Sequence, residues 1–415
     1  MSRLPVLSLL PLALALASAL PAASLPTVTP EVRALHGRLL VLDTHFDSAA
    51  NLARAGWDVM QRHTVEDDFT QVDYPRLIEG GFDGGFWTIY TSQGPRTPAG
   101  HAAARDTALQ TALRIHKMIA AHPDKFELAL KADDAARIAA KGKQIVFISM
   151  ENSYPLGQDL TLVKTFYDLG VRVLGPVHIG NNDLADSAND PKGLEWQGLS
   201  PLGKQLVAEC NRLGIVLDAS HASDGTLAQM LELSTTPILL SHSGCKAVYD
   251  HPRNIPDELL RKLAAKGGVI QLNAFSSYIA TLPATPERNA AQRDLFARYG
   301  GRAAQGTPEG AAAYMDARRE FEKKFPKALA PFDAFMAHIL HALKIVGPDH
   351  IGICGDFDGG GGVEGYNDVT GAPRISAALL AAGYTEADLA KIWGGNALRL
   401  LRAAEAAAEK PAASL

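Results

Sequence analysis

Residues of the kinds that bind transition metals recur in this sequence at the ends of short apolar runs. They are His45, Asp47, Glu151, His221 and His242. His45 and Asp47 are two positions apart, so on a strand both side chains point to the same face. Imidazole and carboxylate groups are zinc ligands, and five of them exceed what one tetrahedral ion takes. We therefore predict two zinc ions, with Glu151 bridging them and a hydroxide between.

The positions of these residues support this prediction more than any single motif does. A histidine followed by a carboxylate two residues later is common by chance, and a lone histidine is usually a hydrogen-bonded polar residue. Glu151, His221 and His242, however, each follow an apolar run directly. Catalytic residues of barrel enzymes lie at the carboxyl ends of strands, where a purely structural histidine or glutamate has no reason to concentrate.

A carboxylate near the end of the last apolar run, Asp356, is the predicted general base and acid. It would take a proton from the attacking water and return it to the leaving amine. Asp358 has the same strand parity and is the rival, but the glycines at 359–362 indicate that the chain has already turned into a loop. We interpret Cys354 as a small core residue rather than a ligand.

Two further residues are predicted to contact a substrate. His178 closes the fourth apolar run, where its ring could donate a hydrogen bond to a developing oxyanion. Arg253 follows the sixth run and could bind a substrate carboxylate through two parallel hydrogen bonds. The alternative for Arg253 is an ordinary surface arginine in a loop.

Eight apolar segments are predicted strands, and helical patterns alternate with them. The strands are 39–47, 82–90, 144–151, 171–178, 215–221, 237–242, 268–273 and 350–356. The clearest helices are 103–121, 159–169, 200–213, 224–233 and 256–266. This alternation implies a parallel sheet, and eight strands favour a closed TIM-type (β/α)8 barrel of the α/β class over an open sheet.

The chain after residue 24 is predicted to form one domain. The connection 274–349 is too long for a plain loop, so we expect a helical insertion between strands 7 and 8, near the barrel mouth. A last helix, 386–402, should pack on the outside. Barrels of this kind run to about 250 residues and longer with insertions, which makes 25–415 a single (β/α)8 metallohydrolase domain.

Residues 1–24 are predicted to be a secretory signal peptide. One early cation, Arg3, precedes an apolar run and small residues that suit cleavage. An uncleaved anchor is the alternative, although the run is shorter than the ~20 apolar residues of a spanning helix. We expect an exported enzyme, periplasmic or secreted, with no stable membrane span after removal of the signal. The three cysteines lie in or beside predicted elements and indicate at least one free thiol without a disulfide framework.

The charge balance argues against a nucleic-acid partner. The formal net charge is −5, and no stripe of lysine and arginine interleaved with aromatic residues is present. A small molecule is the expected partner, and a homodimer is an open alternative to a monomer.

Several motifs resemble the membrane dipeptidases, also called renal dipeptidases, which are zinc peptidases of the amidohydrolase type. The similarity lies in Asp43-Thr44-His45-Phe46-Asp47 and in the segments 237–243, 250–257, 355–359 and 393–399. It therefore extends over nearly all of the chain after the signal.

This resemblance implies a division of roles among the candidate residues. His45, Asp47 and Glu151 would hold one zinc ion, and Glu151, His221 and His242 the other. His178 would contact the scissile carbonyl oxygen, Arg253 the C-terminal carboxylate of the substrate, and Asp356 would transfer the proton. The family hydrolyses dipeptides, often with a D-residue on the C-terminal side, and some members open β-lactams.

The sequence departs from the family at two places. Many members have asparagine where this chain has Phe46, but alternation points that side chain away from the site, so we expect little effect on metal binding. Mammalian members carry a lipid anchor added after removal of a hydrophobic tail, and the sequence printed here ends without one.

Two other functions remain open at this stage. One is another binuclear barrel hydrolase, acting on a cyclic amide, a β-lactam or a phosphotriester. Such enzymes often use a carboxylated lysine on strand four, where this chain has His178. The other is a non-catalytic zinc-binding relative, against which stands the presence of every ligand and of the proton-transfer residue.

Overall fold

The computed structural model describes residues 25–283, 285–299 and 307–409, so the predicted signal peptide lies outside the described residues. The strands are β1 (Leu42–Phe46), β2 (Gly84–Tyr90), β3 (Phe126–Leu128), β4 (Gln144–Glu151), β5 (Val171–Leu174), β6 (Val216–Leu217), β7 (Leu239–Cys245), β8 (Asn254–Ile255), β9 (Val269–Asn273) and β10 (Ile351–Cys354). The helices are α1 (Pro30–His36), α2 (Val65–Asp68), α3 (Tyr74–Gly80), α4 (Pro98–Ala121), α5 (Asp134–Ala139), α6 (Thr161–Asp168), α7 (Pro201–Leu213), α8 (Asp224–Leu233), α9 (Asp257–Ala265), α10 (Ser276–Ile279), α11 (Pro286–Tyr299), α12 (Pro308–Lys324), α13 (Phe332–Val346), α14 (Ala372–Ala381), α15 (Glu386–Ala390) and α16 (Asn396–Ala407).

Eight of the strands form a closed ring. Parallel pairing joins them in the orders β1-β2-β4-β5-β6 and β7-β9-β10. Two isolated bridges connect these sets, because Asp218 pairs with Leu239 between β6 and β7, and Phe46 with Phe357 just after β10. The short strands β3 and β8 pair with β4 and β7 from outside the ring. The (β/α)8 barrel predicted from the sequence is thereby confirmed.

Two strands, β5 and β6, end four residues earlier than the apolar pattern suggests. β5 ends at Leu174 instead of the predicted 178, because Pro176 lacks the N–H that would continue the ladder. β6 covers only two residues, since the side chain of Asp218 accepts a hydrogen bond from the N–H of Ser220 and turns the chain there. The candidate site residues of these two segments consequently lie on loops just beyond the strands.

The barrel is packed on both sides of its wall. Outside, Phe46 lies edge-on against Phe82 and Trp87 within the large cluster that joins strands to helices. A second cluster contains residues from most of the ring strands, including Phe86 and Phe147, whose rings stack with centroids 4.8 Å apart. Residues of α5 and α16 also belong to this second cluster.

The long connection 274–349 divides into two parts. Helices α11 and α12, which we call the cap, share an apolar cluster of their own that is separate from the barrel clusters; it contains Leu295, Tyr314, Met315 and Phe321. Phe69 packs on it from the barrel side, and the guanidinium of Arg318 lies 4.1 Å from the Phe69 ring. Helix α13, by contrast, packs against α9 and β10 and occupies the place of a regular barrel helix. The domain boundaries remain a prediction.

The helix predicted at 386–402 is interrupted in the structure. A π-helical turn at Lys391–Gly395 separates α15 from α16, which continues to Ala407. The turn contains Trp393, a buried side chain whose indole N–H donates to Ser376 at 2.9 Å. A single extra residue in the turn shifts the helical register there, which a 3.6-residue pattern does not predict.

The cysteines agree with the expectation drawn from the sequence. Cys210, Cys245 and Cys354 are buried free thiols, which confirms the absence of a disulfide framework. Within the described residues, no helix has both the length and the apolar character needed to cross a membrane.

Candidate metal centre

The carboxylate of Glu151, the last residue of β4, lies at the centre of the candidate site. Its Oε1 is 2.9 Å from Nε2 of His221 and 3.3 Å from Nε2 of His242. Its Oε2 is 3.6 Å from Nε2 of His45. One buried carboxylate thus faces a different group of nitrogen ligands with each oxygen, as a residue that bridges two ions would.

His45 and Asp47 reach this carboxylate from the end of β1. His45 Nε2 lies 3.5 Å from Asp47 Oδ2. The register of β1 against β2 shifts between Asp43 and Phe46, so strict alternation does not hold through this stretch. Buried Asp43 supports the irregular backbone, since its carboxylate accepts from the N–H of His45 at 2.9 Å and of Gly355 at 2.7 Å. The latter bond ties the end of β1 to the end of β10.

His221, on the loop after β6, and His242, within β7, approach Glu151 from neighbouring parts of the barrel. Their Nε2 atoms are only 2.8 Å apart. The Nδ1 atom of His242 lies 2.8 Å from the hydroxyl of Ser241, whereas Nδ1 of His221 is buried without a hydrogen-bond partner among the described residues. Both rings therefore direct the same nitrogen at Glu151, but only one of them is oriented by a hydrogen bond at its far side.

Asp356 lies two residues beyond β10 and has a left-handed backbone conformation, with φ of 52°. Its Oδ2 accepts from the side-chain N–H of Asn273 at 2.9 Å. His45, Asp47 and Asp356 each offer a potential ligand atom, and these atoms lie within 4.8 Å of one another. The bend after β10 thus brings a third carboxylate to the site, which strand parity alone would not guarantee.

Asp358, the rival of Asp356 in the sequence, has a different environment. Its carboxylate accepts from the hydroxyl of Ser48 at 2.5 Å and from the N–H of Gln71 at 2.8 Å. Its own N–H donates to the side chain of Gln71 at 2.7 Å. These bonds anchor the glycine-rich loop and engage both oxygens of the Asp358 carboxylate.

His178 lies on the loop after β5, next to the other histidines. Its ring centroid is 4.2 Å from that of His221, and its Nδ1 is 3.4 Å from the hydroxyl of Tyr90. With Glu151 and His221 it also forms a group whose potential ligand atoms lie within 4.8 Å. The geometry alone allows His178 to bind either a metal ion or a substrate.

Arg253 is buried behind the site. One terminal nitrogen, Nη2, donates to the carbonyl of His242 at 3.0 Å. Two others, Nε and Nη1, are buried without a hydrogen-bond partner among the described residues. The guanidinium lies 5.5 Å from the ring centroid of Tyr278. Because buried donors without acceptors are costly, these two nitrogens are suited to bind an acceptor that enters the site.

The electrostatics of the site fit a bound cation. Burial raises the pKa of Glu151 to about 8, with His45 opposing and Asp47 reinforcing the shift. Burial disfavours the charged ring of His45, but Glu151 and Asp47 outweigh it and raise the pKa to about 10. Burial, reinforced by Arg253 and neighbouring histidines, holds His221 neutral by lowering its pKa well below the usual range. His221, held neutral beside these crowded carboxylates, is a donor for a divalent transition ion, whereas His45 would have to lose its proton to bind one.

Two cavities meet at these residues. The inner cavity, about 180 Å³, is lined by site residues and by Ile179, Phe275 and Tyr278. The outer one, about 1260 Å³, extends from Asp47 and Glu151 to α2 and the cap. Sequence reasoning missed Phe275 and Tyr278 because aromatic side chains carry no ligand chemistry. Their position just after β9 was the available signal.

Gly359 is another residue that the sequence analysis did not assign to the site. A Cβ atom at this position would collide with Oδ2 of Asp47 and Oδ1 of Asp356. Glycine thus lets the loop pass directly beside two carboxylates.

Comparison with known proteins gives a consistent result. A family model described as membrane dipeptidase, peptidase family M19, matches residues 29–415. Dipeptidase tcpJ of Claviceps purpurea is 31% identical over 344 residues, which are 80% of this chain and 69% of that protein. The crystal structure of the probable dipeptidase PvdM from Pseudomonas aeruginosa is 31% identical with a TM-score of 0.76, covering 91% of this chain and 98% of that one. A metallopeptidase from Rhodobacter sphaeroides, solved with a phosphinate mimic of the dipeptide L-Ala-D-Ala, is 27% identical with a TM-score of 0.70, covering 88% and 99%.

The close passage of Gly359 generates a prediction about metal binding. We expect Gly359→Ala to weaken zinc binding by at least about 10-fold, because the added methyl group displaces the carboxylates of Asp47 and Asp356. Titration calorimetry on metal-free protein measures this. Gly37→Ala is the control, since its added methyl group meets nothing closer than 3.4 Å. Equal zinc affinity in both variants would contradict the placement of Asp47 and Asp356 at the metal centre.

Proposed function

Because the chain belongs to the membrane dipeptidase family and is a metallo-dipeptidase, we propose that it binds two zinc ions and accepts dipeptides with a C-terminal D-residue. The observation that carries this proposal is that the two carboxylate oxygens of Glu151 face different candidate ligands. His45 and Asp47 with Oε2 would hold one ion, and His221 and His242 with Oε1 the other. Bound zinc supplies Lewis acidity, which lowers the pKa of water and polarises a carbonyl group.

Asp356 is the residue we propose for proton transfer. Its Oδ2 accepts a hydrogen bond from Asn273. Its Oδ1 lies close to the Asp47 carboxylate, where the backbone of Gly359 approaches both groups. Burial raises the pKa of this carboxyl group, which makes it a better base than an exposed aspartate. Oδ1 would take the proton from the attacking water and deliver it to the leaving amine.

His178 would donate a hydrogen bond to the scissile carbonyl oxygen rather than bind metal. Burial, with the charge of Arg253, lowers the pKa of this ring to about 4, so the ring is neutral at pH 7. The hydroxyl of Tyr90 can donate to Nδ1, which leaves the proton of the ring on Nε2. A neutral N–H donor there would stabilise negative charge as it develops on the carbonyl oxygen.

Arg253 would receive the C-terminal carboxylate of the dipeptide. The two buried nitrogens without partners offer charge-assisted hydrogen bonds to such a group. We propose that the C-terminal residue of the dipeptide can be of L or D configuration. The L-Ala-D-Ala mimic bound to the Rhodobacter sphaeroides relative supports the D configuration. The inner cavity of about 180 Å³, lined by Glu151, His178 and Asp356, has room for a small substrate.

We also propose that residues 1–24 direct export, on the strength of the apolar run that follows Arg3. The enzyme would then act outside the cytoplasm, in the periplasm or the medium. Amino-terminal sequencing of the protein from cell fractions tests this proposal.

Metal content and substrate range together test the proposed function. We expect about two zinc ions per chain, hydrolysis of both L-Ala-L-Ala and L-Ala-D-Ala, and loss of both activities on chelation with recovery on zinc addition. Metal analysis and a dipeptide panel on purified protein measure these. Activity in metal-free protein would overturn the metal mechanism, and cleavage of the L,L substrate alone would overturn the stereochemical part.

The role of Asp356 is tested by a substitution that keeps its shape. Asp356→Asn should lower kcat by at least ~10²-fold while zinc content is retained, because the amide cannot hold the transferred proton. Asp358→Asn is the matched control, and its effect on kcat should be small because that carboxylate serves the loop. The reverse ranking would assign proton transfer to Asp358.

Arg253→Ala tests the carboxylate site. We expect KM for dipeptides to rise about 10- to 100-fold, which corresponds to the loss of one or two charge-assisted hydrogen bonds. The preference of the enzyme for free dipeptides over C-terminally amidated analogues should also become smaller. Arg261→Ala on the exposed face of α9 is the control. If Arg253→Ala still discriminates fully against amidated substrates, another group binds the carboxylate.

A further inference from the structure

A buried carboxylate outside the ligand set, Asp218, lies directly after β6. It accepts hydrogen bonds from four donors. Its Oδ1 accepts from the N–H of Ser220 at 3.1 Å, the hydroxyl of Ser220 at 2.8 Å and the N–H of Ser241 at 3.0 Å. Its Oδ2 accepts from the hydroxyl of Ser241 at 2.5 Å. The Ser241 hydroxyl in turn lies 2.8 Å from Nδ1 of His242.

The number of protons that each group can donate fixes the direction of this chain of hydrogen bonds. Donors converge on both oxygens of Asp218, so this carboxylate serves only as an acceptor, and a serine hydroxyl has one proton to donate. The proton of Ser241 therefore points at Asp218, and the oxygen of Ser241 can only accept from His242. It follows that Nδ1 of His242 carries the proton of the neutral ring and that Nε2 presents its lone pair to Glu151.

We propose that Asp218 and Ser241 are positioning residues that select the metal-binding tautomer of His242. This inference rests on the proposed function, because it concerns how one of the two zinc sites is prepared. A ligating histidine generally needs a partner at its other nitrogen, and loss of such a partner typically weakens metal binding 10- to 100-fold. His221 has no such arrangement, since its Nδ1 has no hydrogen-bond partner among the described residues.

A purely structural role is the alternative reading of Asp218. The carboxylate joins backbone on both sides of the junction between β6 and β7, so its removal could simply loosen the barrel. The two roles differ in what an isosteric amide does. Asparagine at 218 would donate its N–H to Ser241, whose proton must then turn toward another acceptor.

Two acceptors are within reach of that proton. One is Nδ1 of His242, and the other is the hydroxyl oxygen of Ser220 at 3.1 Å. Replacing Ser220 by alanine removes the second, so Asp218→Asn in that background forces the proton onto the path to His242. The ring would then carry its own proton on Nε2, where it blocks zinc.

The experiment compares Ser220→Ala with three derivatives made in it, namely Asp218→Asn, Ser241→Ala and both together. Zinc affinity and stoichiometry are measured by equilibrium dialysis against graded chelator, and the folding of each metal-free protein by thermal unfolding. We expect Ser220→Ala to bind two ions. Adding Asp218→Asn should weaken one of them about 100-fold, and adding Ser241→Ala about 10-fold.

The decisive variant contains all three substitutions. Without the Ser241 hydroxyl, the amide at 218 cannot impose the wrong tautomer, so zinc affinity should recover to the level of Ser220→Ala with Ser241→Ala. A structural role predicts the opposite, with the triple variant at least as impaired as either double variant. Tight binding of both ions after Asp218→Asn would also overturn the inference, whereas wild-type protein that binds no zinc would contradict the proposed function instead.

Folding failure in these variants would leave a direct measurement on the wild-type chain. In metal-free protein at neutral pH, nitrogen NMR of ¹⁵N-labelled histidines should show the proton of His242 on Nδ1, with the signal assigned by its loss in His242→Gln. A proton on Nε2 would overturn the proposed direction of the hydrogen-bond chain.

Discussion

The crowding of three carboxylates in one buried site is the constraint on which the rest of the structure depends. Asp47, Glu151 and Asp356 lie where little water can screen their repulsion, and burial raises the pKa of both Glu151 and Asp356. His45 is the adjacent cation, and despite burial its pKa rises to about 10. A divalent ion would offset the repulsion more completely. The backbone must therefore hold together side chains that electrostatics drives apart.

Two other buried aspartates provide much of this restraint. Asp43 accepts from the backbone at the ends of β1 and β10, and Asp218 from the backbone at the ends of β6 and β7. These are the two junctions of the barrel that isolated bridges close in place of a regular ladder. Side-chain carboxylates thus substitute for missing strand pairing where ligands must diverge from ideal strand geometry. The same bonds bring His45, His242 and Asp356 to a common centre.

The sequence predicted the barrel and the meeting of the ligands because both follow from a repeating rule. Apolar strands ending in ligand-type residues specify one ring and one site, whatever the local irregularities. The irregularities themselves were not predictable from periodicity. The register shift in β1 and the left-handed backbone of Asp356 depend on contacts between distant segments. β5 and β6, by contrast, end early for local reasons, at Pro176 and at Asp218. Likewise Gly359 and Tyr278 are recognised only when the loop and the cavity are seen in three dimensions.

The cap has a consequence for how such an enzyme can change over generations. Its apolar cluster of Leu295, Tyr314, Met315 and Phe321 is separate from the clusters that hold the barrel. The packing of side chains in the cap is therefore largely independent of the packing in the barrel. Substitutions in the cap alter the wall of the outer cavity without disturbing the hydrogen bonds at the strand ends. Selection can therefore act on which compounds enter while the reacting groups stay unchanged.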